Sequence, residues 1–591
     1  MILSLVVIGL VGGIAYVWAS RGFFSALVHM VCVIVAGALA FGLWEPLAYF
    51  VLSQDIPGWV VDITWGAALG VPFAAILAGL RLAVDKALPA NADLDGVTNL
   101  IGGGLCGAIA GTISVGILVI SLSFLRLPEG MGMLNFHPVR FDTYGSVVKD
   151  RSLIFPADRI TAGLYSFMSR TTLRTGRPMA AWRPELAYEG HLLRTNFNDG
   201  GSKHTLKPDA FEVMGRYTIG QNTSVPLRDL TNDSFQAARN QPIKNLDDEP
   251  VNDGYLEGFV IKFKPGARER EGRVVIGNAQ IRLVCAEGGD PDAGTIAVHP
   301  FAMISQAEGN RPDLGRWRFD RPEIYIASPG GAAEPVMAFE FIVPRGYEPV
   351  AIDVKGLRRT VDEIQAPKAM ASTAERDAAI RTGALLTGGG SATPVDTSSA
   401  VTINPTQPGP SGTNEIAVTG GLPGGIVILK DRKESLSLDG SGRIVEGSGK
   451  FRNADLQNNR IADRNLQVRE VAGTDDTKVV MVRVGKDSRI GLLAVPTIDL
   501  SQPPVLIDEH NQRYHAIGYI YQDSVETHIS VTPGSPLRAA ADLPNGGPTI
   551  SRPDQQFTLI YRVSKGVQIR YFAVGSTVIG QFNPPVTVPE F

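Results

Sequence analysis

The sequence has only three cysteines in 591 residues, too few for a disulfide framework. Cys32 and Cys106 lie within apolar segments that we predict to be helices, and Cys285 lies alone in a predicted strand. We interpret all three as small buried hydrophobic residues. Cysteine usage therefore leaves the redox compartment open.

The chain also lacks any basic cluster interleaved with aromatic residues, and its net charge is −4. Proteins that bind nucleic acids carry basic patches because they must neutralise phosphates, so we expect no nucleic-acid partner. A nucleophile elbow, a Walker loop, a paired-cysteine metal site and a His-Glu-x-x-His helix are absent from the sequence as well. We predict that the protein is not an enzyme and that it binds no cofactor and no metal.

Two short segments imitate chemical motifs. Ser146 and Lys149 have the Ser-x-x-Lys spacing of a serine nucleophile and its lysine, but the companion elements of that site are missing. Residues 91–96 resemble the start of a calcium loop, but its twelfth position is Gly102 instead of a bidentate glutamate. We interpret the first match as chance and the second as a polar turn.

Charge is scarce in the first 125 residues, which contain three basic and six acidic side chains: Arg21, Arg81, Lys86, Glu45, Asp55, Asp62, Asp85, Asp93 and Asp95. Apolar runs occupy residues 2–19, 23–52, 59–84 and 100–125, and each is long enough to cross a bilayer. A cleaved signal peptide is the alternative for the first run. No basic residue precedes that run, and a second apolar run follows it at once, so we reject the signal peptide. Residues 1–126 therefore predict an all-α bundle of four transmembrane helices.

The basic residues of this bundle predict its orientation. Arg21 lies between the first and second runs, and Arg81 and Lys86 lie between the third and fourth, whereas residues 53–58 contain no lysine or arginine. Basic connections stay in the cytoplasm. We therefore expect a multi-pass protein of the bacterial inner (cytoplasmic) membrane, with both its N-terminus and everything after residue 126 on the extracytoplasmic side.

Three ionisable residues lie within the predicted spans, where such groups are costly and are functional candidates. Glu45 and Asp62 lie near the outer ends of spans two and three, which favours a structural role at the interface. His29 lies early in span two and is either a proton-relay group or, as we favour, a hydrogen-bonded packing residue.

Span four carries glycines at a four-residue spacing, Gly103, Gly107 and Gly111. A stripe of small residues lets two helix backbones approach closely within lipid. We favour packing inside the bundle, and homo-oligomerisation through span four is the alternative.

Taken together, several features resemble the colicin V production protein (CvpA) family. They are the Ser-Arg-Gly-Phe-Phe sequence at residues 20–24, the apolar stretch at 28–52, the Asn-Leu-Ile-Gly-Gly sequence at 99–103, and the glycine stripe. The resemblance covers about the first 130 residues and implies a role in colicin V production and envelope integrity. That family has no accepted catalytic residues, so the resemblance implies none here, and the large C-terminal extension is a departure from it.

The remainder of the chain reads as mostly β. Residues 127–252 form a membrane-proximal mixed region with an amphipathic helix at 156–170, and residues 253–365 and 426–591 each show short strands with turn punctuation that favour a β-sandwich. Residues 366–425 are rich in Ser, Thr, Gly and Pro and predict a flexible linker.

A weak internal echo relates residues 339–354 to 557–572, each a strand, a basic-Gly turn and a strand. Two related sandwiches or two ordinary hairpins explain it equally.

These observations predict a non-enzymatic envelope protein. Membrane lipid surrounds its bundle, and its β modules bind an envelope protein or glycan. The alternative is a transporter or channel subunit in which His29, Glu45 or Asp62 lines a path and the β modules act as a gate or adaptor.

Overall fold

The structure is a computed structural model of the chain. It describes residues 2–87, 95–125, 138–141, 147–150, 153–174, 178–194, 203–222, 225–231, 243–268, 274–304, 316–319, 325–326, 335–381, 385, 397–457, 464–474, 477–493, 498–509, 512–533, 536–549, 552 and 554–589. Ser146 and residues 91–94 of the calcium-like segment lie outside these ranges.

Four long helices form the N-terminal bundle: α1 (Ile2–Arg21), α2 (Phe23–Leu52), α3 (Gly58–Ala87) and α4 (Gly96–Ser123). All four are long and apolar enough to span a membrane. Helix α4 is the most buried of them and packs against α1, α2 and α3. The predicted helical bundle followed by β-rich regions is therefore confirmed.

The glycine stripe faces α1. A Cβ atom on Gly107 would lie 2.8 Å from the Cβ of Trp18, and one on Gly103 would lie 2.9 Å from the Trp18 carbonyl oxygen. A Cβ on Gly111 would lie 3.2 Å from the Cβ of Ile14. The stripe thus lets α1 and α4 pack at short range inside one chain, as the interpretation that we favoured requires.

Within the described ranges, six shorter α-helices follow: α5 (Ala157–Arg170), α6 (Met179–Trp182), α7 (Leu186–Arg194), α8 (Leu227–Thr231), α9 (Thr373–Arg381) and α10 (Asn453–Gln457). The first β region contains β1 (Val139–Phe141), β2 (Val147–Lys149), β3 (Phe211–Ile219), β4 (Tyr255–Phe263), β5 (Val275–Ile276), β6 (Ile281–Glu287), β7 (Thr295–Val298), β8 (Ala302–Ile304), β9 (Arg316–Arg318), β10 (Tyr325–Ile326), β11 (Val336–Val343), β12 (Tyr347–Val354), β13 (Leu357–Thr360) and β14 (Lys368–Met370). The second β region contains β15 (Val401–Ile403), β16 (Ile416–Val418), β17 (Ile428–Leu429), β18 (Ser437–Leu438), β19 (Ile444–Arg452), β20 (Gln467–Val468), β21 (Thr477–Arg483), β22 (Pro504–Asp508), β23 (Arg513–His515), β24 (Gly518–Gln522), β25 (Glu526–Val531), β26 (Gln556–Ser564), β27 (Gln568–Val574) and β28 (Thr577–Thr587).

In each β region the two largest sheets share a core, beside small two-stranded sheets. In the first region, the sheet with strand order β14-β3-β4-β11-β8-β9 faces the sheet with strand order β13-β12-β6-β7. The core between the two sheets contains Phe259, Phe341, Leu283 and Ile352. Strand β4 is buried on both faces, since its alternate residues, such as Val260, enter a second core under α8 and α9. Two facing sheets with a common interior make a β-sandwich.

The second β region repeats this topology. Its sheets have the orders β16-β21-β26-β24-β25-β19-β18 and β15-β28-β27-β22-β23. Eight strands of the first region can be matched in chain order to β21 through β28, and they are β4, β6, β7, β8, β9, β11, β12 and β13. Every antiparallel pairing among these eight strands recurs between the matched strands of the second region. The two β regions are therefore copies of one strand plan.

The echo seen in the sequence is the corner where the chain crosses between sheets. Strands β11 and β12 belong to different sheets, as do β26 and β27, so neither pair is a hairpin. The strand pairing sets the offset between the copies at 220 residues here, two more than the ranges of the echo imply. It relates Gly346 to Gly566 and Val354 to Val574, and both corner glycines have positive φ, 86° and 81°. The hairpin alternative is wrong, because the turn carries the chain to the facing sheet.

Strand pairing also corrects two predicted boundaries. Strand β3 pairs with β4, so one sheet continues across the proposed division at residue 252. The proposed linker at 366–425 contains β14, which pairs with β3, and α9, whose fully buried Arg376 lies 3.4 Å from the Glu340 carboxylate. Strands β15 and β16 at its other end belong to the second β region. Composition missed α9 because a buried ion pair, not an apolar run, anchors it.

A charge ring and a cavity where the bundle meets the first β region

Glu45 lies near the C-terminal end of α2, directly before Pro46. Its carboxylate forms ion pairs with Arg183, which follows α6, at 2.7 Å, and with Arg358 on β13 at 2.9 Å. A single side chain of a membrane helix thus joins two elements from outside the bundle. An intramembrane acid with a named partner marks a site of interest.

These three residues belong to a closed ring of six alternating charges, which we call the charge ring. Arg183 pairs with Glu189 on α7, and Glu189 lies 2.9 Å from Arg282 on β6. Arg282 then contacts Asp353 on β12 at 2.7 Å. Asp353 closes the ring by accepting from Arg358 at 3.1 Å. Three positive and three negative groups cancel, which is the condition for burying so many charges together.

Burial strengthens each contact of the charge ring. Burial alone would raise the pKa of the Asp353 carboxyl, but Arg358, Arg282 and Arg183 outweigh it and hold that pKa below its usual value. The neighbouring acids, chiefly Glu189, likewise raise the pKa of the Arg183 guanidinium despite its burial. The arginines of the ring therefore stabilise the charged form of Asp353, and its acids stabilise the charged form of Arg183.

Aromatic side chains surround the arginines. The Arg183 guanidinium lies over the rings of Trp44 and Trp65, at 4.3 and 4.8 Å from their centroids. Arg358 lies 5.3 Å from the ring of Trp182, and its backbone N–H donates to the Tyr49 hydroxyl at 2.8 Å. Cation–π contacts are strongest where the cation is buried, as Arg183 is.

Other contacts extend the junction to α3 and α4. The His204 Nε2 lies 2.9 Å from the Asp62 carbonyl oxygen and 3.1 Å from that of Phe124. Lys207 lies 3.6 Å from the Asp55 carboxylate in the connection between α2 and α3. The C-terminal ends of α2 and α4 and the N-terminal end of α3 thus hold the first β region.

A cavity of about 290 Å³ adjoins the charge ring, and we call it the junction cavity. It is lined by α2, α5, α6 and β13, through Ala38, Phe41, Gly42, Trp44, Glu45, Pro46, Tyr165, Met168, Ser169, Leu173, Met179, Trp182, Arg183, Arg358 and Thr360. Most of its wall is apolar, and its charged groups are Glu45, Arg183 and Arg358. Such a combination is typical of ligand sites.

Helix α5 lies against the spans themselves. The Tyr165 hydroxyl donates to the Ile34 carbonyl of α2 at 3.1 Å, and the Thr161 hydroxyl donates to the Thr112 carbonyl of α4 at 3.3 Å. A Cβ on Gly37 would lie 1.9 Å from the Tyr165 hydroxyl oxygen, and one on Gly116 would lie 2.1 Å from Thr161 Oγ1. These two glycines, which the sequence did not single out, make room for α5.

His29 lies at the opposite end of the bundle. Its ring stacks on Trp18 at 4.0 Å, and Arg21 and Arg81 each lie 5.0 Å from the Trp18 ring. Arg81 also pairs with Asp85 at 2.7 Å. The structure therefore does not bring His29, Glu45 and Asp62 together along one path.

Sequence reasoning singled out Glu45 but missed the five other members of the charge ring. Arg183 follows α6, and the other four lie on α7, β6, β12 and β13, so the five are far apart in the chain and share no spacing. Lys149, whose spacing from Ser146 resembles a catalytic pair, forms ion pairs with Glu185 and Asp247, both at 3.0 Å. Among the described residues, no group of three or more His, Cys, Asp or Glu side chains is arranged to hold a metal ion.

No known protein family, no curated protein and no solved structure matches this chain. The resemblance to the colicin V production family therefore stays a prediction. What the chain does has to be inferred from its own geometry.

Proposed function

We propose that this chain is a non-enzymatic, multi-pass protein of the bacterial cytoplasmic membrane that holds its first β region rigidly on the outer end of the bundle and presents its second β region to an envelope partner, a protein or a glycan. The charge ring carries the proposal. Ionic contacts that are directional and buried define one orientation of two packed units better than apolar contacts alone.

The placement of the ionisable residues supports an anchor over the alternative of a transporter or channel. Glu45 is neutralised by two arginines, so it offers no free charge to a passing ion. His29 packs on Trp18 at the other end of the bundle. A conduction path needs polar groups in succession through the bilayer, and these are separated.

The difference between the two copies supports separate roles for them. Asp353 and Arg358 of the first copy correspond, at the offset of 220 residues, to Ala573 and Val578 of the second. Both of these are fully buried in the second β region. The second copy lacks the charges by which the first docks on the bundle, and the corresponding positions are part of its own core. We therefore assign the second copy to the binding of other molecules.

The distribution of basic residues supports an extracytoplasmic β half. Arg21 and Arg81 lie together at the end of the bundle opposite the charge ring. Under the positive-inside rule that end faces the cytoplasm and the β regions face away from it.

Photo-crosslinking in living cells tests the proposal on the full-length chain. A photoreactive residue replaces Val525, which is exposed at the turn between β24 and β25 of the second β region. Val71, equally exposed on α3, is the matched control. We expect a discrete adduct with an extracytoplasmic protein or glycan at 525 and only lipid adducts at 71.

Two results contradict the proposal. One is an adduct at 525 with cytosolic proteins. The other is solute or ion flux catalysed by the purified chain in liposomes, which establishes the transporter alternative instead.

A further inference from the structure

We propose that the junction cavity binds one phospholipid from the bilayer, with part of an acyl chain along its apolar wall and the phosphate at its charged end. This inference goes beyond the proposed function and requires only that the bundle lies in a membrane. It assigns the cavity a ligand whatever partner the second β region has.

The cavity has the size and wall of an acyl-chain site. Its volume of about 290 Å³ lies just below the range of pockets for drug-sized ligands, about 300–1,000 Å³, so it holds a segment of one chain and not a whole lipid. Phe41 of α2 and Tyr165 and Met168 of α5 supply much of its surface. Methionine and aromatic side chains suit a flexible hydrocarbon.

The mouth of the cavity faces lipid. Gly42 and Pro46 line the cavity and are exposed on α2, and Leu173, also a lining residue, is 47% exposed. Leu39 and Leu43 are exposed on the same face of α2. In a bundle of spanning helices such a face contacts hydrocarbon, so a lipid reaches the cavity laterally.

The charged end suits a phosphate. The cavity is lined by two arginines, Arg183 and Arg358, and one acid, Glu45, so guanidinium groups outnumber carboxylates in its wall although the charge ring as a whole is neutral. Trp182 also lines it, and its buried indole N–H has no hydrogen-bond acceptor among the described residues. Indole is a donor only, and a phosphodiester oxygen of the ligand supplies the acceptor that this N–H lacks.

Gly42→Phe tests the apolar part. A Cβ on Gly42 meets no atom within 4 Å, so the larger side chain fits the fold while it fills the mouth. Gly79→Phe is the matched control, because Gly79 lies on α3, is exposed and also has open space around it. Full-length protein in lipid-free detergent is titrated with palmitoyl-oleoyl phosphatidylglycerol, and native mass spectrometry counts the bound lipid.

We expect one tightly held lipid per chain in the unmodified protein and in Gly79→Phe, and binding weakened at least about tenfold in Gly42→Phe. Equal binding by the two variants overturns the proposal. So does an unmodified protein that retains no lipid above the level of Gly42→Phe.

Trp182→Phe tests the polar part, since it removes the N–H and keeps an aromatic ring. We expect phosphatidylglycerol to bind about tenfold more weakly, which is the effect of losing a hydrogen bond to a charged group, and diacylglycerol with the same chains to be unaffected. Glycerol phosphate, which has the headgroup alone, is expected not to bind. Tight binding of glycerol phosphate indicates an anion site and overturns the proposal, and so does an equal loss for both lipids.

Discussion

Replacing Arg183 by methionine removes the central cation of the charge ring while keeping an apolar side chain of similar length. Arg183 is 2% exposed and pairs with both Glu45 and Glu189. Removing one partner of a buried ion pair costs about 3–5 kcal/mol, because it leaves a charge without compensation. Here Glu45 keeps Arg358 and Glu189 keeps Arg282, each at 2.9 Å, so this part of the cost lies at about 3 kcal/mol.

The stacking of Arg183 between two indole rings adds to that figure. A desolvated cation–π contact contributes about 2 kcal/mol. Because methionine retains some contact with Trp44 and Trp65, we expect a total loss of about 3–5 kcal/mol in the free energy of unfolding. Arg174→Met is the control: Arg174 is 59% exposed and pairs with the exposed Asp292. Surface pairs of that kind contribute about 0–1 kcal/mol.

Tryptophan fluorescence is the appropriate assay. All six tryptophans of the chain precede residue 318, so none lies in the second β region and the signal reports the bundle and the first β region alone. At about 2–4 °C per kcal/mol, Arg183→Met should lower the Tm of this transition by roughly 6–20 °C, and Arg174→Met by about 4 °C or less.

A double-mutant cycle with Glu45→Gln refines the result. Neutralising Glu45 removes one of the charges that Arg183→Met leaves uncompensated, so the double variant should be more stable than the sum of the two single changes predicts, by about 0.5–3 kcal/mol. The reasoning is refuted if Arg183→Met lowers Tm no more than Arg174→Met does, or if the cycle shows no coupling.

The remaining predictions concern packing, topology and pH. Gly107→Leu should force α1 away from α4, because even a Cβ there lies 2.8 Å from that of Trp18; we expect a lower Tm and less folded protein, and unchanged Tm and size in detergent contradict this. Reporters fused after Phe591, one active only in the cytoplasm and one only outside it, should show the extracytoplasmic signal, and cytoplasmic activity reverses the orientation while leaving the bundle intact. Burial raises the pKa of Glu257 to about 7 although Arg216 opposes it, so the folded chain binds this proton more tightly than the unfolded chain, whose Glu pKa is about 4.3. The stability from this group is therefore complete below about pH 4 and is lost as pH rises to about 7, and Glu257→Gln should remove that part of the fluorescence-detected pH dependence; an unchanged slope counts against it.

The spans and the strand texture could be predicted because both depend on local patterns. Long apolar runs exclude water-soluble helices whatever they pack against, and the structure has α1 to α4 where those runs lie. The glycine stripe was also visible, since a four-residue spacing defines one helix face before any partner is known. The similarity between residues 339–354 and 557–572 was also visible, because a strand, a basic-Gly turn and a strand form a local sequence pattern.

The boundaries failed where order depends on distant residues. Strand β14 and helix α9 lie in a stretch whose composition is that of a linker, and they are ordered because β3 supplies a pairing edge and Glu340 a buried acid for Arg376. Neither partner is near in sequence. Local composition indicates how much apolar surface a segment can bury by itself. It contains no information on the strand edges or buried charges of distant segments.

The sequence by itself determined that the chain has a four-helix membrane bundle and a β-rich remainder, because the hydrophobic patterns behind both are local. Only the tertiary structure decided that the two β regions repeat one strand plan, and that the first of them docks on the bundle through a charge ring. Glu45 was identifiable as a costly charge in a span, but its partners Arg183 and Arg358 lie 138 and 313 residues away in the chain. A buried charge indicates that a counter-charge must exist, and the fold alone selects which residues supply it.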